Sequence, residues 1–288
     1  MRRHIEFACG SETLIGTLDC TASDGGASAT RGLLILSGGN EIRSGGHRGM
    51  AQLARTIATD DIAVFRFDRR GTGDSSGDNA GFMGSDADLE AALNAFRTAC
   101  PALVHITGLG LCDAAAALLL HPSAKSLDQL ILLNPWTLET AAQAADNDAD
   151  TPAPPSAVAI RARYIAKLKN PREIWRLLSG GVNLGKLWRG MRHASISAAP
   201  SGADGLPAKM RRYLRELSTP TRILIAQHDT TAMAFLAHWN SRDWADVRGN
   251  HAIQVVARNT ASHSFASPGD AVWLAEQVRC VMDEQLSS

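Results

Sequence analysis

The chain has no net charge to speak of: 29 lysine and arginine residues face 29 aspartate and glutamate residues. Nothing in that balance points to a nucleic-acid partner. Cysteine is sparse. Cys9, Cys20, Cys100, Cys112 and Cys280 are widely spaced, odd in number and without a Cys-x-x-Cys pair. Neither a zinc site nor a disulfide framework is indicated, and no metal or organic cofactor is expected. No stretch approaches the roughly 20 apolar residues of a membrane span. The opening residues, Met1 to Phe7, lack an apolar core of signal-peptide length. No internal repeat is visible. A reducing cytoplasm, where a free thiol survives, is the expected compartment.

What the chain does have is apolar residues, 45% of 288. That is enough to bury a full core. Two short strands are expected at His4–Phe7 and Thr13–Leu18. Strands and helices then alternate: strand Gly32–Leu36, helix His47–Thr59, strand Ile62–Phe67, helix Ser85–Ala99, strand Leu103–Thr107, helix Asp113–Leu120, strand Gln129–Leu133. Such alternation implies βαβ units and a parallel sheet. It breaks at Asn134-Pro135-Trp136. Residues 140–156 are rich in alanine, aspartate and proline, and 157–217 read as helical and strongly basic. The rhythm resumes after Pro220, with strands Thr221–Ala226 and His251–Ala257 and helices Thr231–Asn240 and Pro268–Gln285.

The most pointed feature lies between Leu103 and Leu120. An apolar run ends in Gly110-Leu111-Cys112-Asp113-Ala114 and turns directly into an alanine- and leucine-rich helix. This is the layout of a nucleophile elbow, with the reactive side chain at the apex of a sharp strand-to-helix turn. Gly110 and Ala114 are the small residues that such a turn needs. The usual apex residue is serine; here it is Cys112. A helix N-terminus favours a thiolate, so a lowered thiol pKa is expected.

Three further segments fit. Phe67-Asp-Arg-Arg-Gly-Thr-Gly-Asp-Ser75 resembles the Asp-x-Arg-Gly-x-Gly-x-Ser loop of α/β-hydrolases. Ile225-Ala-Gln-His-Asp229 ends a strand where that family places its acid, and Ala261-Ser-His263-Ser-Phe265 follows the last strand where it places its histidine. The order nucleophile, acid, histidine is also the family's. The resemblance implies an α/β-hydrolase fold: a mostly parallel central sheet flanked by helices, with a helical lid insertion. The expected parts are 1–135 for the first core segment, 136–217 for the basic lid and 218–288 for the second core segment. The run Leu36-Ser-Gly-Gly-Asn-Glu-Ile-Arg-Ser-Gly-Gly-His-Arg48, with the elbow, is similar to the exosortase-A-system-associated hydrolases of the type-1 branch. Those are encoded with exopolysaccharide and protein-sorting machinery, which implies a link to envelope biogenesis without naming a substrate.

On this reading Cys112 attacks an acyl carbon, His263 takes and returns the proton, and Asp229 orients the imidazole. Asp229 also suits a helix N-cap before Thr230 and Thr231. His228 and His251 are rival histidines, but one abuts the acid and the other starts a strand. Asn134 occupies the other strand end at which hydrolases place an acid; an amide there favours Asp229. Oxyanion donors are expected from Asp113 and from Gly39 or Asn40. Asp68 and Arg70 are expected to form a local charge and turn network. Arg43, His47 and Arg48 either bind an anionic substrate or simply start a helix. The basic insertion is a solvated face, a partner surface, or a lid that attracts an anionic substrate or lipid headgroups. The expected activity is ester or thioester hydrolysis on a small-molecule, lipid or saccharide acyl substrate. Acyl transfer on the same triad, and a non-catalytic binding or scaffold protein on this fold, are the alternatives. Oligomeric state is not legible.

Overall fold

The computed structural model describes residues 1–21, 23–138 and 205–284. Of the insertion expected over 136–217, residues 139–204 lie outside the described residues, and with them most of its basic side chains and the expected lid.

The strands are β1 (Arg2–Cys9), β2 (Glu12–Asp19), β3 (Arg31–Leu36), β4 (Ile62–Phe67), β5 (His105–Leu111), β6 (Gln129–Leu133), β7 (Thr221–Ala226) and β8 (Ile253–Arg258). They form one eight-stranded sheet in the order β1-β2-β4-β3-β5-β6-β7-β8. The first hairpin is antiparallel, as is the β2–β4 pairing; all remaining pairs are parallel. Every residue of β3, β4, β6 and β7 is buried, as continuous apolar runs covered on both faces should be.

Among the described residues six longer helices flank the sheet, α1 (Gly49–Ile57), α2 (Asp86–Ala99), α3 (Asp113–Leu120), α4 (Leu206–Glu216), α5 (Thr230–Trp239) and α6 (Pro268–Glu284), with a short helical turn at Ala245–Arg248. Alternate side chains of β3 feed opposite layers, as the two-residue period of a strand requires. Leu33 and Ile35 pack with Met50, Ile57 and Val278 from α1 and α6. Leu34 and Leu36 belong to the other layer, with Phe96, Leu118 and Phe235. Met210 and Leu214 of α4 also sit in that layer, so the last part of the expected insertion packs into the core.

Several boundaries differ from the sequence expectation. Helix α1 begins at Gly49 because His47 and Arg48 have φ of 52° and 61°, which a right-handed helix cannot hold. Strand β5 does not stop at Thr107 but runs to Leu111, through Gly108 and Gly110. A Cβ on Gly108 would lie 2.6 Å from the Leu127 side chain, so the glycine admits a close neighbour. Strand β8 starts at Ile253, later than His251. All six strands from β3 to β8 point the same way, so their C-terminal ends share one edge of the sheet. There the loops gather that carry the candidate site.

Candidate active site

The elbow is real in its geometry. Cys112 follows β5 at φ 60°, ψ −118°, a conformation that only an over-determined non-glycine residue holds. Its backbone is tied on both sides: its N–H donates to Leu133 O at 2.8 Å, and its carbonyl accepts the Trp136 N–H at 3.0 Å. A Cβ on Gly110 would lie 2.7 Å from the Ala114 carbonyl carbon, so the strand and helix backbones touch there. Gly38 approaches from the β3 side. Its Cβ would lie 2.3 Å from Leu111 O and 3.2 Å from the Cys112 Cβ.

His263 lies on the loop between β8 and α6, and its Nδ1 is 3.0 Å from Asp229 Oδ2. The same carboxylate oxygen accepts the Ala232 N–H at 2.9 Å, so Asp229 is also the N-cap of α5. Asn134, fully buried at φ 43°, staples this corner. Its side-chain amide donates to the His263 carbonyl at 2.6 Å, and its Oδ1 accepts the Ala226 N–H at 2.8 Å. The rival histidines stand aside: His228 Nε2 pairs with Asn259 Oδ1 at 2.7 Å on the surface, and His251 is exposed.

The electrostatics differ from expectation. Burial pushes the Cys112 thiol well up, and the negative charges of Asp113, Asp229 and Glu41 add to it. A hydrogen bond from the Asp113 backbone N–H opposes this, but is outweighed. The expected lowering by the helix start is therefore corrected: the resting group is a thiol. No hydrogen bond joins Cys112 Sγ to the His263 ring among the described residues. Burial by itself would lower the His263 pKa, but the hydrogen bond and charge of Asp229, helped by Glu41 and Asp113, carry it above the ordinary imidazole value.

One of the anticipated oxyanion donors, Gly39, is already engaged. Its N–H is given to Asp113 Oδ1 at 2.6 Å. The Asn40 side chain lies at the surface, its Oδ1 accepting from Asn79 Nδ2 at 2.9 Å, which leaves its backbone N–H uncommitted. The Asp113 N–H faces the sulfur, where an attacked carbonyl would sit.

Arg43 is not free for substrate. Its guanidinium is shared between Asp68, Asp74 at 2.9 Å and Thr17 Oγ1 at 2.9 Å, with only 13% of the side chain exposed. The partner of Asp68 is thus Arg43, while Arg70 pairs with Asp88, which corrects the expected Asp68–Arg70 network. The Asp68–Ser75 loop is structural: Ser75 Oγ donates to Asp68 O and accepts the Ile15 N–H. His47 and Arg48 are exposed on the loop that leads into α1. Sequence reasoning missed the positions of Glu41 and Arg69. Arg69 donates to the Gly39 carbonyl from the loop after β4.

No family model matches the chain, and no curated protein matches it in sequence. Solved structures do. An esterase of Pyrococcus furiosus superposes with a TM-score of 0.61 at 14% identity, over 99% of this chain and 91% of that one. Est1E of Butyrivibrio proteoclasticus, solved with ferulic acid bound, gives 0.59 at 15% identity, over 99% and 100%. An α/β serine hydrolase without a lid from Xanthomonas campestris gives 0.55 at 13% identity, over 99% and 94%. The chain has the α/β-hydrolase fold.

Proposed function

We propose that this protein hydrolyses an ester or thioester through Cys112, His263 and Asp229. The observation that carries the proposal is the Asp229–His263 hydrogen bond of 3.0 Å, held at the sheet edge that also presents Cys112 on its elbow. An aspartate in that place holds the imidazole tautomer that leaves Nε2 as the base and stabilises the imidazolium that follows.

Because burial keeps Cys112 protonated, proton transfer accompanies attack. The thiol proton passes to His263 Nε2 as Sγ bonds to the acyl carbon and the carbonyl electrons move to oxygen. Collapse of that intermediate expels the alcohol or thiol, which takes the proton from the imidazolium. The remaining thioester is cleaved when His263 deprotonates a water that adds to the acyl carbon; collapse releases the acid and breaks the C–S bond, and Cys112 Sγ takes the proton back from the imidazolium. Another nucleophile in place of water would make the same site an acyltransferase.

The type-1 exosortase-associated likeness of Leu36–Arg48 supports a role in exopolysaccharide or envelope biogenesis, with a lipid- or saccharide-linked acyl group as substrate. Free cysteines support a cytoplasmic setting. No helix among the described residues is long and apolar enough to cross a membrane. The basic sequence of 157–217 supports recruitment of an anionic substrate or surface by long-range attraction. Mass spectrometry after exposure to an activated acyl ester tests the proposal. An acyl adduct on Cys112 that forms and decays with turnover, lost in Cys112→Ala together with turnover, is the expected result. Labelling elsewhere with turnover intact in that variant would sink it.

A further inference from the structure

The residue after the nucleophile carries a carboxylate, and that carboxylate is pointed at the wrong partner for catalysis. Asp113 is 6% exposed, and its Oδ1 accepts the Gly39 N–H at 2.6 Å. Gly39 follows β3, where a hydrolase of this fold would draw its second oxyanion donor. Its φ is 57°, and no atom lies within 4 Å of the position a Cβ would take, so its Cα faces open space. On the far side its carbonyl is held by Arg69 Nη2. Arg69 is itself 6% exposed, and its Nη1 is buried with no hydrogen-bond partner. A buried guanidinium nitrogen without an acceptor is costly, and a carboxylate is its best partner. Arg69 and Asp113 hold the same residue, Gly39, one at its carbonyl and the other at its N–H. The cluster therefore holds one carboxylate and two claimants, the Gly39 N–H and Arg69 Nη1, of which only the first is satisfied.

We propose that Asp113 occupies the oxyanion hole of the resting protein, and that acylation requires its carboxyl to pass from the Gly39 N–H to Arg69 Nη1. The inference rests on the reading of Cys112 as the nucleophile. In the resting state the developing oxyanion would meet the Asp113 N–H and be denied the Gly39 N–H. After the shift both are open, and the displaced carboxyl has gained a charge-assisted partner. Substrates that bind well enough to drive the shift are turned over; water and small electrophiles meet an incomplete site. Asp113 is on this account a positioning residue acting through Gly39.

Two variants and one chemical control test this. Loss of an oxyanion donor costs about 10²–10³ in kcat, so freeing one should show clearly. Asp113→Ala removes the occupant and should raise kcat on p-nitrophenyl acetate by at least about tenfold, with KM little changed. Asp113→Asn keeps an acceptor for the Gly39 N–H but loses the charge that draws it to Arg69 Nη1, and should fall below the parent. Alkylation of Cys112 by iodoacetamide forms no oxyanion and should not accelerate in step. Equal gains in both variants, with faster alkylation, would show that charge alone is responsible and overturn the proposal. A fall in kcat for Asp113→Ala would show that the contact holds the loop in its working shape, and would overturn it too. Should the variants fail to fold, the unmodified protein suffices. The Gly39 amide resonance should move when Cys112 is converted to a hemithioketal by a trifluoromethyl ketone; an unmoved resonance at full conversion rejects the idea. If Cys112→Ala retains turnover, the nucleophile assignment fails first, and that result is separate from all of these.

Discussion

Asn134 donates its side-chain amide to the backbone carbonyl of His263 at 2.6 Å, across 129 residues of sequence. The imidazole is thus aimed from two directions, by Asp229 at the ring and by Asn134 at the main chain. Asn134→Ala should lower kcat by about tenfold or more, since small misplacement of a catalytic group is costly. KM should barely move. The variant also leaves the buried Ala226 N–H unpaired, which costs about 1–3 kcal/mol. Steady-state kinetics and a thermal melt measure the two effects. An unchanged kcat would remove Asn134 from the machinery.

The pH dependence follows from His263. Its pKa is raised above 6.5 in the folded protein, against the pull of burial, by Asp229. A base must be neutral, so the acidic limb of kcat/KM should lie above the ordinary histidine value. In Asp229→Asn burial is no longer countered, and the limb should move to lower pH while kcat drops. The linked stability has a definite sign. The contribution from charged His263 is fully present below about 6.5 and is lost as pH rises through the folded pKa. A limb that stays put in Asp229→Asn would count against this pairing.

Thiol reactivity should run opposite to what the elbow alone suggests. With its pKa raised, Cys112 should alkylate at pH 7 more slowly than the exposed Cys280. Neutral iodoacetamide should outpace anionic iodoacetate there, because Glu41, Asp113 and Asp229 surround the sulfur. Peptide-resolved mass spectrometry over a time course reads both. Fast labelling of Cys112 at pH 7 would reveal a resting thiolate.

Gly38→Ala should be among the most damaging single changes at the site. The new methyl would lie 2.3 Å from Leu111 O, a backbone atom that cannot step aside without moving the elbow. Overpacking of this kind costs about 1–3 kcal/mol. Activity should be lost even at temperatures where the variant is folded. A fully active, equally stable variant would contradict the packing.

The basic stretch from Arg161 onward predicts a salt effect. If it recruits an anionic substrate, kcat/KM on that substrate should fall as the Debye length shrinks from about 10 Å at 0.1 M to about 3 Å at 1 M salt. A small neutral ester should respond little. Identical responses would leave the stretch without a part in capture.

The sheet and the elbow were legible because both rest on local signals. Apolar runs such as Ile62–Phe67 alternate with helical stretches, and Gly110-x-Cys112-x-Ala114 sits where one becomes the other. The pairing of Asp229 with His263, 3.0 Å apart, was legible by chain order. What escaped the sequence depends on groups far apart in the chain. The Cys112 thiol is raised by burial, which no neighbour in sequence reveals. Arg43 looked available until Asp68 and Asp74 folded onto it. Gly39 was expected to face substrate, but Asp113, 74 residues away, had already taken its N–H. Asn134 was noticed as an absent acid, while its amide donates to the His263 carbonyl. His47 and Arg48 fitted a helical pattern, but the loop behind Gly45 turns through left-handed geometry before α1 can begin.

One oxygen atom, Asp229 Oδ2, serves both the first turn of α5 and the ring of His263. Fraying of that helix end and loss of imidazole alignment are therefore a single event. Catalysis becomes a local thermometer: on warming, turnover should fade while the far-ultraviolet signal of the sheet and the other helices is still intact. A tighter first turn of α5 should extend the working temperature without any change in the global melting point.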